Sequence, residues 1–153
     1  MKSDEFFAMR AARRKPRHEE HDIQVSCILW WKQFIYGREF KSVHDKAPVL
    51  LAIPNGGRRD IVTAANMKAE GVVAGAADLF LCLPSQGYAG LFIEMKTAKG
   101  RQSDTQRIFE AKVVFYGYRY EVCRSLEDFT RTIRRYIFGN DYERLDKDTQ
   151  ANP

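Results

Sequence analysis

The stretch that decides the fold is DLFLCLPSQGYAGLFIEMK, residues 78–96. Two apolar runs, residues 78–83 and 90–96, lie on either side of residues 84–87, where proline, serine, glutamine and glycine are typical of a turn. Apolar runs joined by such a turn predict an antiparallel β-hairpin. The hairpin would form the middle of a sheet around which the rest of the chain folds.

The second predicted strand carries an acid and a base on one face. Side chains two apart on a strand share a face, so Glu94 and Lys96 project together while Met95 projects into the core. Asp78 begins the first strand, and pairing of the strands brings its carboxylate beside Glu94. Two neighbouring carboxylates repel each other, and a divalent cation relieves that repulsion. From the spacing alone, ordinary surface charges flanking a hairpin are the alternative.

Hydrophobic periodicity predicts further elements on both sides of the hairpin. They are a helix over residues 19–36, a strand over residues 49–53, a helix over residues 59–70, a helix after Ser103 that ends near residue 116, a strand over residues 118–123 and a last helix after Ser125. With the hairpin included, the order is α-β-α-β-β-α-β-α. This order indicates an α/β fold with a central mixed sheet flanked by helices.

Two helix starts have sequence signatures. Ser103-x-x-Gln106 fits a capping box, in which each side chain bonds the main chain of the other residue. Ser125 precedes a helix with an apolar stripe, which we expect to face the core. The stripe consists of Leu126, Phe129, Ile133 and Ile137.

Composition is that of a globular protein with one domain. The chain has 153 residues, of which 44% are hydrophobic and 29% charged. It contains no apolar run of about 18 residues, which a membrane span requires. The first residues lack the apolar segment of a secretory signal, so we expect a cytoplasmic protein. The cysteines, Cys27, Cys82 and Cys123, form no metal-binding pair and are expected to be small apolar core residues.

Positive charge is concentrated at the N-terminus. The formal net charge is +5, and residues 1–17 hold six basic and two acidic side chains. We expect residues 1–17 to be a flexible basic arm, residues 18–138 the domain, and residues 139–153 a polar tail. Such an arm could neutralise nucleic-acid phosphates, and a solvated chain start is the equal alternative.

The ordered series of motifs resembles the VRR-NUC family, a branch of the PD-(D/E)XK nuclease superfamily. The motifs are IPNGGR at residues 53–58, KAEGVVAGAADL at residues 68–79 and GLFIEMK at residues 90–96, followed by Gly100, Ser103, Gln106 and Gly117-Tyr118. The resemblance covers about residues 20–136 and implies a restriction-endonuclease-like core. One position departs from the family pattern, because Ala77 stands where the family usually has a proline.

The resemblance also implies a catalytic set. Glu20 in EHDIQ, residues 20–24, matches an acidic position on the family's first helix, with Glu19 as the neighbouring candidate. Asp78, Glu94, the Met95 carbonyl and Glu20 would bind Mg²⁺ or Mn²⁺, because these ions prefer oxygen ligands. Lys96 would orient the attacking water or the phosphate, and Gln106 would lie at the site or serve only as a cap. Candidate DNA contacts are Arg58, Arg59, Lys99 and Arg101.

The function implied is metal-dependent hydrolysis of DNA that leaves a 5′-phosphate and a 3′-hydroxyl. Small members of the family resemble homodimeric enzymes that cut four-way junctions in DNA repair and recombination. We therefore expect a structure-selective endonuclease, a Holliday-junction resolvase, with branched DNA as its partner. The aromatic residues of the first helix (Trp30, Trp31, Phe34 and Tyr36) would form part of a dimer surface or of the core. The alternatives are a non-catalytic DNA-binding module, a general or flap nuclease, a restriction-type nuclease and a protein–protein adaptor.

Overall fold

The computed structural model describes residues 16–54, 61–140 and 142. The helices and strands within these ranges are α1 (Pro16–Phe34), α2 (Arg38–Lys41), β1 (Val49–Ala52), α3 (Ile61–Ala69), β2 (Leu79–Cys82), β3 (Leu91–Met95), α4 (Asp104–Phe115), β4 (Arg119–Cys123) and α5 (Leu126–Phe138). None of these helices combines the length and the apolar character that crossing a bilayer requires.

A mixed sheet in the order β1-β2-β3-β4 forms the centre of the fold. The first two pairs are antiparallel, and β3 and β4 are parallel. A parallel pair needs a crossover connection, and α4 supplies it between β3 and β4. The predicted α/β class, the mixed sheet and the hairpin are therefore confirmed.

The two faces of the sheet have different coverings. Helices α1 and α5 contact each other and cover one face, on which Leu91, Ile93 and Met95 are buried with Phe129 and Ile133. Helix α4 covers the other face, where the rings of Phe92 and Phe109 meet edge to face with centroids 5.2 Å apart. The main apolar core therefore lies under α1 and α5, and the face under α4 carries Glu94 beside a group of aromatic rings.

Several local predictions need correction. Helix α1 begins at Pro16, three residues earlier than expected, and the four-residue α2 was not predicted because it is too short to show periodicity. Cys82, the last residue of β2, is exposed, since it lies on the face opposite Leu79 and Leu81. Leu126 is 38% exposed because it opens the first turn of α5, outside the buried stripe. Predictions for residues 1–15, 55–60 and 143–153 lie outside the described residues.

The β2–β3 turn is tied to the end of α5. The Ser85 hydroxyl and the Gln86 amide donate to the Tyr136 carbonyl at 2.6 and 2.7 Å. The Tyr136 hydroxyl donates in turn to the Leu83 carbonyl at 2.7 Å. These bonds fix the hairpin against a helix on the core side, and they thereby fix the register of the strand that carries Glu94.

The segment before β2 packs closely against the start of α4. Gly75 has a φ of +77°, and a Cβ added there would lie 2.4 Å from the main-chain carbon of Thr105. Only glycine satisfies both the positive φ and the close approach. Gly75 therefore holds the entry to Asp78 against the helix that carries Gln106.

We expect Gly75→Ala to be strongly destabilising. Gly71 also has a positive φ, of +96°, but a Cβ there would meet nothing within 4 Å. Gly71→Ala is thus a matched control, with an expected loss of about 1 kcal/mol from backbone strain alone. Gly75→Ala should lose about 2 kcal/mol more because of the added clash. Urea unfolding of both variants measures the difference, and equal losses would show that the close approach does not matter.

Candidate active site

Glu94 is the one buried charged residue on the part of the chain that the structure describes, with 1% of its surface exposed. Its Oε1 accepts from Lys96 Nζ at 2.9 Å and from the Gln106 side-chain amide. Its Oε2 accepts from the Tyr120 hydroxyl at 3.2 Å. A carboxylate is costly to bury unless it is paired and hydrogen-bonded, and these three donors offset part of that cost.

Asp78 lies where β2 begins, beside the end of β3. Its Oδ2 accepts from the Met95 main-chain N–H at 2.7 Å, so the carboxylate takes the position of a strand partner at this edge. The N–H and C=O of one residue in an extended strand point the same way. The Met95 carbonyl is therefore directed to the side on which Asp78 lies.

The two carboxyl groups have raised pKa values. Burial raises the pKa of Glu94 to about 7, and the nearby Asp78 charge adds to the increase while the bond from Lys96 opposes it. Burial also raises the pKa of Asp78 above its ordinary value, against the lowering effects of the Met95 N–H and the Lys96 charge. The site thus holds more negative charge than its surroundings stabilise, which favours binding of a cation.

Gln106 has two roles at once. The capping box at the start of α4 is present, with the Ser103 N–H donating to Gln106 Oε1 at 2.8 Å. The Nε2 of the same amide donates to Glu94. The alternatives left open by the sequence, a cap or a site residue, are therefore both realised by a single side chain.

Tyr120 is a residue of the site that the sequence did not identify. It lies on β4, is 8% exposed and holds the second oxygen of Glu94. The burial and the negative charge of Glu94 raise the pKa of its hydroxyl, so this group remains a donor. The parallel pairing of β3 with β4 brings Tyr120 to Glu94. No local motif around Tyr120 predicts this pairing, because it joins strands that are far apart in the sequence.

Glu20 is brought to the edge of the site but not into a cluster with the other two acids. Its Oε1 accepts from the Thr97 main-chain N–H at 3.4 Å, and its charge helps to raise the pKa of Asp78. Within residues 16–54, 61–140 and 142, no three His, Cys, Asp or Glu side chains are grouped closely enough to hold a metal together. Glu20 therefore lies near Asp78 without forming a three-carboxylate group with Asp78 and Glu94.

The predicted DNA contacts divide into two groups. Lys99 and Arg101 are exposed on the connection from β3 to α4, which starts at the site. Arg58 and Arg59 lie outside the described residues. The described pair thus places two exposed cations near the end of β3.

The donor set fits a hard divalent ion. Two adjacent carboxylates and a main-chain carbonyl supply only oxygen atoms, and Mg²⁺ is commonly held by one or two carboxylates while it keeps several waters. The hydrogen-bond and ion-pair partners given above for Asp78 and Glu94 are Met95, Lys96, Gln106 and Tyr120, and none of them is a zinc-type ligand. The residues present therefore fit Mg²⁺ or Mn²⁺.

Comparison with known proteins gives a consistent result. The sequence matches the VRR-NUC domain family over residues 18–127. A solved structure described as a VRR_NUC domain protein aligns with a TM-score of 0.61 at 22% sequence identity, and covers 76% of this chain and 86% of that one. At this level of identity the likeness shows a shared fold, and the predicted restriction-endonuclease-like core is confirmed. No curated protein matches the chain.

Proposed function

The chain belongs to the VRR-NUC family of nuclease domains, and from this premise we propose that it is a metal-dependent DNA endonuclease. The observation that carries the proposal is the buried Glu94 carboxylate, which lies beside Asp78 and is held by Lys96, Gln106 and Tyr120. A buried acid with a strongly raised pKa is typical of a functional site. A role as a protein–protein adaptor would leave this buried acid unexplained.

Asp78, Glu94 and the Met95 carbonyl would hold the ion, with Glu20 reaching it through water. When bound, the ion lowers the pKa of an attacking water and stabilises charge on the scissile phosphate. The side chains then divide the remaining work. Lys96, which is 11% exposed, orients the water or a phosphate oxygen with its ammonium group. The products expected are a 5′-phosphate and a 3′-hydroxyl.

DNA would be bound by cations around this centre. Lys99 and Arg101 lie on the connection next to it, and Arg58 and Arg59 are proposed to contribute as well. Such contacts neutralise phosphates and position the duplex without reading its sequence. This suits an enzyme that selects a DNA structure over a base sequence.

A direct assay tests the nuclease proposal. The protein is incubated with end-labelled linear duplex, flap and four-way junction DNA in Mg²⁺, Mn²⁺ or EDTA. We expect strand cuts that need a metal and are absent in EDTA. Binding without cleavage under all conditions would instead identify a non-catalytic DNA-binding module.

Within this class we propose four-way junctions as substrate and a homodimer as the active form. An apolar stripe on α1 supports a dimer, since Val25 and Leu29 lie one turn apart and are 43% and 58% exposed, and Tyr36 beyond the helix is 70% exposed. Trp31 and Phe34 are buried in the core, and Trp30 packs against it. A two-fold dimer would present two active sites, which match the two scissile strands of a junction.

We expect Leu29→Glu to separate the dimer and to abolish paired junction cuts. A charge at the centre of the stripe would have to lose its hydration in the interface. Lys112→Glu, at an exposed position of α4 on the other face of the sheet, is the control for added negative charge. Light scattering at micromolar concentration gives the oligomeric state. If the unaltered protein is a monomer and still resolves junctions by symmetric cuts, the dimer proposal is wrong.

We expect Tyr120→Phe to weaken metal binding by about 10- to 100-fold while the fold is kept, because groups that orient metal ligands have effects of this size. The variant removes only the hydroxyl that holds Glu94 Oε2. Tyr118→Phe is the matched control, because its ring packs against Phe80 and Phe92 on the same face. Calorimetric titration with Mn²⁺ measures both. Equal affinities in the two variants would contradict the role given to Tyr120.

A further inference from the structure

Arg124 bonds the chain that leaves the active-site strand. It directly follows β4, and the pairing of Met95 with Cys123 places it beside Lys96. Its Nη1 donates to the carbonyls of Thr97 and Gly100, each at 2.7 Å. One side chain thus closes residues 97–100 into a compact turn, in which the Gly100 N–H also donates to the Thr97 carbonyl at 3.1 Å.

This turn connects the parts of the site that come from different elements. It begins immediately after Lys96, and it leads to the helix start at Ser103 that presents Gln106 to Glu94. The Thr97 N–H donates to Glu20 on α1, so the turn also carries the contact between that helix and the site. A displacement of the turn would therefore move several groups around Glu94 together.

The main chain of Arg124 is held independently of its side chain. Its main-chain N–H donates to Asp128 Oδ2 at 3.0 Å, and this bond ties the residue to the capped first turn of α5. Substitution of the side chain leaves that main-chain bond in place. The effect of the guanidinium on residues 97–100 can thus be separated from the anchoring of Arg124 itself.

We infer that Arg124 is a positioning residue, which fixes residues 97–100 so that Glu20 and Lys96 are held at the metal-binding carboxylates. The expected effect of Arg124 on metal affinity rests on the proposed function. The expected effect of Arg124 on residues 97–100 does not depend on metal. Arg124 acts through Thr97 and Gly100 and does not touch the reacting atoms. Loss of its side chain should therefore affect the ordering of the turn and the affinity for metal more than the rate at saturating metal.

Amide hydrogen exchange in the metal-free protein tests the inference without any cleavage. In Arg124→Met we expect the Thr97 and Gly100 amides to exchange at least about tenfold faster, because two charge-assisted hydrogen bonds to the turn are lost. Arg124→Lys keeps a donor and a charge, and it should retain much of the protection. Arg131→Met is the control, because it removes an arginine from α5 that pairs with Asp128 and Glu127 instead of the turn.

Two outcomes separate this inference from the proposed function. Faster exchange in Arg124→Met but not in Arg131→Met, with a several-fold higher metal requirement, supports it, and the exchange result stands even if no DNA is cleaved. Unchanged exchange in Arg124→Met overturns it, whatever happens to cleavage. If Arg124→Met does not fold, Arg124→Gln replaces it. Its Thr97 and Gly100 amides must then exchange faster than those of Arg124→Lys and Arg131→Met, and equal rates in the three variants overturn the inference.

Discussion

Glu94→Gln should abolish DNA cleavage while the protein remains folded and still binds DNA. The glutamine can keep the oxygen that accepts from Lys96 and Gln106, and its amide can donate to the Tyr120 oxygen. It loses the negative charge that an ion requires. We expect cleavage to fall by about 1,000-fold or more, which corresponds to about 4 kcal/mol of lost transition-state stabilisation. Asp78→Asn should behave in the same way.

The control for this experiment is Glu121→Gln. Glu121 lies on the neighbouring strand β4 and pairs with Arg119 at 2.6 Å, and it makes no contact with the two site carboxylates. Of the three variants, only Glu121→Gln should cleave labelled DNA in Mg²⁺ at a rate close to that of the unaltered protein. DNA affinity measured in EDTA should be kept in all three. Full activity of Glu94→Gln in Mg²⁺ would exclude the proposed centre.

The second large effect concerns stability and pH in the absence of metal. Glu94 has a pKa of about 7 in the folded protein against an ordinary value of 4.5. A raised pKa means that folding favours the protonated acid. The contribution of Glu94 to the free energy of unfolding is therefore fully present below pH 4.5 and is lost as the pH rises to about 7. The loss is on the order of 3 kcal/mol. Asp78 adds a loss of the same sign, because its pKa is also raised.

Glu94→Gln should remove most of this pH dependence. The difference in unfolding free energy between the variant and the unaltered protein gives the Glu94 contribution together with its coupling to Asp78, because the remaining titrating groups are shared. We expect this difference to grow in favour of the variant from about pH 4.5 to 7. Mg²⁺ added at pH 8 should stabilise only the unaltered protein, by about 3 kcal/mol at a hundred times the dissociation constant. A difference that is flat with pH would show that Glu94 is not desolvated.

Much of the fold follows from local sequence signals. The hairpin of residues 78–96 was predictable because apolar runs and turn residues are short-range features, and the confirmed capping box at Ser103 is equally local. The short α2 was not predictable, since four residues do not establish a period. The exposure of Cys82 was also not predictable. The sequence of a strand indicates which residues share a face of the sheet, but it does not indicate whether a helix covers that face.

The site was predictable where its residues share one strand or one helix turn. Glu94 and Lys96 lie two apart on β3, and their ion pair follows from strand geometry. Tyr120 and Arg124 come from the parallel strand β4 and its end, and their contacts depend on a register that only the folded chain defines. The same long-range packing decides that Glu20 approaches Thr97 and does not form one group with Asp78 and Glu94.

Calorimetric titration of the metal-free protein with Mn²⁺ at pH 8 is the decisive test of a metal centre at Asp78 and Glu94. We expect a saturable site in the unaltered protein and in Glu121→Gln. In Glu94→Gln and Asp78→Asn we expect at least about 100-fold weaker binding, because each loses a charged ligand. Equal affinity in all four proteins, or no binding by any of them, would contradict a metal centre built on Asp78 and Glu94.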